Sequence, residues 1–253
     1  MLRTLFVFSE MVPYSKTGGL ADVGGALPLA LRQLGAEVRV LVPYYGCPAT
    51  GDMRWCCAVN VPYTGETAEL WSPVGEAQIL FLRYPAYYER DGGPYQDTQG
   101  EDWPDNDRRF ALLNRVAVEI AQGRVSGLNW RPDIVHANDW QTGLIPYLLD
   151  LEARIGAARP AVLFTIHNLA YQGRFAPGAM APLHLPAADG CPLILGPKMP
   201  DNAVRQGLLA AGAAVWARDN AEIVDLAKAW LSDPAAAKAA AGKAKAWWGQ
   251  HGA

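Results

Sequence analysis

Residues 2–45 read LRTLFVFSEMVPYSKTGGLADVGGALPLALRQLGAEVRVLVPYY, and the fold is decided there. The apolar run Leu5 to Phe8 gives way to a loop containing Pro13, Lys16, Gly18 and Gly19. Leu20, Val23, Leu27, Leu31 and Leu34 then recur at helical spacing, Gly35 sits where a helix stop is expected, and Val38 to Val42 is a second apolar run. The order is strand, loop, helix, strand. In an open α/β sheet, ligands bind just beyond the carboxyl ends of the strands, and Lys16 falls there.

The same alternation continues along the chain. Short β-like runs (Cys57 to Val61, Ala77 to Arg83) precede an aromatic, polar and glycine-rich stretch, Tyr84 to Trp103, expected to fold as a loop over one face of the sheet. Asp105 opens a helix pattern to about Gln122. Ile134 to His136 reads as the next buried strand with Thr142 to Leu151 as its helix, and Val162 to Ile166 as another strand ending at His167-Asn168. Strands alternating with helices predict an α/β fold, a Rossmann-like doubly wound parallel sheet. Near Pro186 the character changes. Beyond it lie alanine-rich helix patterns, Ala221 to Leu231 and a second that Asp233-Pro234 opens and that closes at Trp247-Trp248.

Composition narrows the function classes. The chain has 253 residues, 51% hydrophobic and 19% charged, with a net charge of −3, so it can build a sizeable core but offers no polycationic surface for nucleic acid. Cys47, Cys56, Cys57 and Cys191 lack metal-ligand or disulfide-framework spacing, which fits a reducing cytoplasm. The first apolar run is too short for a signal peptide, and no run reaches the length of a membrane span.

Three polar clusters follow strand ends. Lys16-Thr17-Gly18-Gly19-Leu20-Ala21-Asp22 has neither Walker A nor GxGxxG spacing. Its glycines would let backbone approach a ligand, the helix N-terminus would favour an anion, Lys16 would add a positive charge, and Asp22 could accept from sugar hydroxyls. The bland reading is an ordinary βα turn with a surface lysine and a capping aspartate. His136 to Gly143 (HANDWQTG) sets a carboxylate beside an indole and an amide, as carbohydrate sites do; alternatively Asp139 and Thr142 cap the next helix and Trp140 fills a groove. His167 to Gly173 (HNLAYQG) follows a third strand end. Convergence of three such clusters favours one shared site over three accidents. A metal ranks low, since the carboxylates are few.

With those residues placed, the chain resembles bacterial glycogen synthase and plant starch synthase, the GT5-type glycosyltransferases that extend α-1,4-glucan from ADP-glucose. The resemblance is carried in order by SEMVPYSKTGGLADVGGALPLAL, YYERDGGPYQDTQGEDWPDNDRRFA, DIVHANDWQTGLIPYLL and FTIHNLAYQGRF, over residues 1 to about 185. It implies a GT-B fold of two Rossmann-like domains, with residues 1–185 forming the N-terminal catalytic domain. It also implies glucosyl transfer with retention, a cytoplasmic enzyme, no metal and no other cofactor. By motif match, Lys16, Gly18 and Gly19 would contact the ADP-glucose donor. His167 and Asp139 would be catalytic, and Asp22, Tyr95, Asn138 and Trp140 would line the sugar and acceptor side. The family's second domain supplies an arginine, a lysine and a pair of glutamates to the site. Here Glu222 is the only glutamate after Glu152, so the expectation is an impaired transferase or a non-catalytic glucan-binding module. Residues 186–253 resemble instead the end of 3-deoxy-manno-octulosonate (Kdo) transferase, which predicts a composite chain joined near Asp189 and keeps a Kdo-transferase activity as the alternative. Nothing in the sequence sets the oligomeric state.

Overall fold

A computed structural model describes residues 2–47 and 51–168, together with 170, 171, 173, 175, 183, 184, 233, 235 and 239. The chain divides into two compact units, Met1–Ile194 and Leu195–Ala253. In the second unit, the Asp233 carboxylate accepts a hydrogen bond from the Ala235 N–H at 3.1 Å, with Ala235 and Ala239 helical, so Asp233 is the cap that the sequence led us to expect. The helix reading of Ala221 to Leu231 and the placing of Trp247-Trp248 fall outside the described residues.

The first unit is built on one seven-stranded sheet. Its elements in chain order are β1 (Arg3–Val7), α1 (Gly19–Gln33), β2 (Glu37–Pro43), β3 (Met53–Asn60), β4 (Thr67–Pro73), β5 (Ile79–Arg83), α2 (Pro85–Tyr88), α3 (Asn106–Ala121), β6 (Ile134–Asn138), α4 (Leu144–Arg154) and β7 (Ala161–Thr165). The spatial order is β3-β4-β5-β2-β1-β6-β7. From β5 to β7 every pairing is parallel, and the α/β architecture is as expected. The other edge departs from the expected all-parallel sheet. β4 pairs antiparallel with both β3 and β5, which short connections permit where a parallel strand would need a crossover.

Strand alternation sorts the side chains into two layers. Leu5, Val7, Leu41, Leu80, Leu82, Val135 and Ala137 point to the face covered by α3 and α4 and share one buried cluster with them. Their neighbours Phe6, Val40, Val42 and Phe81 are buried outside that cluster, as are Leu20, Val23, Leu27 and Leu31 of α1. Glycines set how closely α1 approaches the loop after β1. A Cβ at Gly24 would stand 3.1 Å from the Glu10 carbonyl oxygen, and one at Gly25 would collide with Val12. The Val12 N–H donates to the Ala21 carbonyl at 3.1 Å across the same contact.

The stretch Tyr84 to Trp103, expected as a loop throughout, opens with the short helix α2 and continues as an ordered loop tied to the start of α3. Arg90 forms a two-pronged ion pair with Asp105 (2.9 and 2.6 Å), and the Trp103 indole N–H donates to the Gly93 carbonyl. Arg109 is 1% exposed and donates to the Tyr87 carbonyl (2.7 Å), the Pro94 carbonyl (3.1 Å) and the Asn106 side-chain oxygen (2.6 Å). Its guanidinium lies near the rings of Tyr88, Phe110 and Trp103. Burial pushes its pKa down, so the three acceptors are what keep the charge tolerable. Arg109→Leu leaves them unpaired, and in denaturant titration we expect a loss of about 3 kcal/mol, with residues 84–103 the first segment cut by protease.

Candidate functional site

The strand order reverses beside β1: its neighbours are β2 on one side and β6 on the other. In doubly wound sheets such a switch point opens a crevice at the carboxyl ends of the two strands, because the following connections leave in opposite directions. Here those ends carry Ser9-Glu10 and Asn138-Asp139, and β7, next to β6, ends just before His167.

The polar side chains at these ends are tied to one another. Asn138 is 0% exposed; its amide nitrogen donates to the Val7 carbonyl (3.3 Å) and the His136 carbonyl (3.1 Å). That orientation leaves its oxygen to accept from the His167 Nε2–H at 3.0 Å, which sets the histidine tautomer and leaves Nδ1 as an acceptor. The Asp139 carboxylate accepts from the His167 N–H at 2.6 Å and from the Asn168 N–H at 3.4 Å. Its own N–H donates to the Thr165 carbonyl at 2.8 Å. Asp139 holds φ 57 and ψ 178, a region that is nearly glycine-only, so local strain accompanies this arrangement.

Burial dominates the electrostatics. It pushes His167 below the ordinary histidine range, opposed by Asp139, and pushes Asp139 above the ordinary carboxylate range, opposed by His167 and the two N–H donors. His136 sits beneath them, its Nε2 at 2.7 Å from the Thr165 hydroxyl and its ring 4.6 Å from that of Phe6. Burial, reinforced by His167, lowers its pKa to about 3.

The loop after β1 makes the other wall. Lys16 Nζ contacts both Asp22 oxygens, at 2.7 and 2.9 Å, with both side chains about half exposed. The positive charge expected to serve an anionic ligand is therefore clasped by the carboxylate expected to face a sugar. Helix α1 starts after Gly18, which is extended, and no side chain caps its first N–H groups. Those donors are open to a ligand.

The remaining expected residues sort by contact. The Tyr95 hydroxyl is 2.8 Å from Ser9 Oγ, which links the loop before α3 to the end of β1. Burial, with the Glu10 charge next, raises its pKa. Trp140 packs edge-on against Phe110 (5.1 Å) and tilted against Phe175 (5.7 Å), and any Cβ at Gly173 would strike its ring. The alternative in which Trp140 fills a groove describes these contacts. Asp139, by contrast, spends its carboxylate on the β7 turn and makes no side-chain capping bond. Asn138, expected among the sugar-binding residues, lies wholly inside and orients His167, because every atom of its amide is engaged by protein. The sequence reading passed over Glu10 and Thr17, whose side chains join beneath the lysine loop; a single loop carboxylate carries no periodic signal. Among the described residues no cluster of His, Cys, Asp and Glu could hold a metal ion.

The family described as "Starch synthase catalytic domain" matches residues 3–213. The chain belongs to this family. Glycogen synthase 1 of Methylococcus capsulatus is 50% identical over 177 residues, covering 69% of this chain and 35% of the relative. The glycogen synthase of Rhodospirillum rubrum is 46% identical over 203 residues, 74% and 39% respectively. Among solved structures, the catalytic domain of starch synthase IV from Arabidopsis thaliana, bound to ADP and acarbose, is similar at a TM-score of 0.59 and 28% identity, over 74% of this chain and 38% of that one. The fold is thus the GT-B type with a Rossmann-like sheet. The chain spans little more than a third of the length of these relatives. The family match runs to residue 213, past the junction expected near Asp189, and the Kdo-transferase reading of the tail gains no support from it.

The buried histidine generates a test. Its folded-state pKa of about 3 lies below the roughly 6.5 of the unfolded chain, so at acid pH the unfolded state binds more protons. The stability present above pH ~6.5 is lost as pH falls toward 3, at up to ~1.4 kcal/mol per pH unit. Chemical denaturation of wild type and His136→Gln between pH 6.5 and 5 should show the variant with the shallower loss, by about 1 kcal/mol per unit.

Proposed function

We propose that this chain forms the sheet half of a cytoplasmic glucosyltransferase that moves glucose from ADP-glucose to the non-reducing end of an α-1,4-glucan, with retention of configuration. The observation that carries this is the Asp139–His167 junction at the carboxyl end of β6, next to β1 whose following loop carries Lys16, in a chain of the starch synthase catalytic domain family. It is supported by a structural neighbour solved with ADP and acarbose.

In this reading the open N–H groups of α1 at Gly18-Gly19 and the Lys16 ammonium face the donor diphosphate. Lys16 must leave Asp22 to do so, and Asp22 is then free to accept from a sugar hydroxyl. His167, held neutral by burial, faces the transferred glucose as a hydrogen-bonding group rather than as a charge. Asp139 acts through the His167 turn that it holds. Tyr95 and the Trp140 edge belong to the glucan side, and Asn138 keeps the His167 tautomer. A retaining transfer passes through an oxocarbenium-like state while a phosphate leaves, so positive charge at the diphosphate lowers the barrier. No cofactor has a role in this scheme.

Calorimetry with ADP-glucose and with maltoheptaose tests it. The wild-type chain should bind both, and Lys16→Ala should weaken ADP-glucose about tenfold while leaving maltoheptaose within twofold. Glucan binding with no nucleotide-sugar binding would replace this reading with that of a glucan-binding module. Labelled ADP-glucose with a glycogen primer then measures transfer itself.

A further inference from the structure

Glu10 lies three residues beyond β1 and is 2% exposed. Among the described residues it has no ion-pair partner. One of its carboxylate oxygens, Oε2, accepts from both the Thr17 N–H (2.5 Å) and the Thr17 hydroxyl (2.6 Å). A carboxylate buried without a cation is costly, and two donors from one residue are the compensation present here. The other oxygen lies beside Gly18, 3.8 Å from where a Cβ would stand.

The backbone of Glu10 is fixed independently of that contact. The closely packed Gly24 bears on its carbonyl, the Met11 and Val12 backbone joins α1, and the neighbouring Ser9 carbonyl accepts from the Tyr45 hydroxyl at 2.8 Å. Thr17, by contrast, is exposed and sits between Lys16 and the Gly18-Gly19 turn. A rigid acceptor therefore grips the one residue from which the lysine and the open helix N-terminus both hang. Ser9 and Thr17 also bear on the Tyr95 hydroxyl, which brings the loop before α3 into the same network.

We propose that Glu10 is a positioning residue for the Lys16-Thr17-Gly18-Gly19 loop, acting through Thr17 to hold the loop in the geometry that receives a nucleotide-sugar diphosphate. The inference rests on the donor-site reading for what the loop binds, but not for the clamp itself. Glu10 touches no ligand in this account. It preorganises the groups that do, so its loss should appear as loop opening and weaker binding rather than as a change in the sheet.

Amide hydrogen exchange on the full chain, followed by ADP-glucose calorimetry, separates the possibilities. Thr17→Val deletes one of the two donors at an exposed site and will fold; Glu10→Gln removes the charge. Each should speed exchange of the Thr17 amide, which Glu10 binds, about tenfold, leaving β1 and the middle of α1 unchanged. The double variant should fall short of the sum of the two single effects, and Thr17→Ser should restore wild-type exchange. ADP-glucose affinity should fall in parallel. Unchanged loop exchange in Thr17→Val, or additive effects of the two substitutions, would overturn the proposal, and Thr17→Val decides the matter if Glu10→Gln does not fold. Absence of ADP-glucose binding by the wild type would instead count against the donor site, with the exchange data still judging the clamp.

Discussion

The Asp139 carboxylate, accepting the His167 N–H at 2.6 Å, is the constraint on which the site depends. It joins the ends of two adjacent parallel strands at the level where their chains would otherwise diverge. The backbone twist at φ 57 and ψ 178 that accompanies it is tolerable because bonds oppose it on both sides: the Asp139 N–H to the Thr165 carbonyl, and the Thr142 hydroxyl back to the carbonyls of Asn138 and Asp139. From that junction the rest follows inward. Asn138 can reach Val7, His136 and His167 at once only because β6 lies between β1 and β7.

The charge balance of this face shapes its chemistry. Around the switch point stand Glu10, Asp22 and Asp139, against Lys16 and a histidine kept neutral by burial. Such a face suits hydroxyl-rich ligands, whose recognition needs acceptors. Toward a diphosphate it offers one lysine, already paired, and the N–H groups of α1.

Much of this was legible in the chain. Leucine and valine spacing located α1, and apolar runs located β1, β2, β6 and β7, because half-buried helices and fully buried strands leave different periodicities. The three strand-end clusters were read as one site; β1, β6 and β7 are neighbours in the sheet, and hydrogen bonds join the second and third clusters. β4 was missed: Glu69, Trp71 and Ser72 interrupt its apolar pattern, since an antiparallel strand near the edge need not be apolar on both faces. Motif match put Asn138 on the sugar side; its amide is engaged instead by the Val7 and His136 carbonyls and by His167, a burial that no local sequence pattern signals. The Glu10–Thr17 clamp was invisible for a related reason. Two polar loop residues seven positions apart meet only because glycines let α1 close onto the loop.

The Asp139 carboxylate, and not the strand backbone alone, holds His167. Asp139→Gly isolates that term, since glycine accepts the same backbone angles without strain while the carboxylate is removed. The measurement is the amide proton of His167 by NMR, in shift and exchange rate. The wild type should show a strongly downfield, protected amide that moves upfield and exchanges freely in Asp139→Gly, with the amides inside β6 and β7 unaltered. A His167 amide equally shifted and equally protected in both proteins would contradict it.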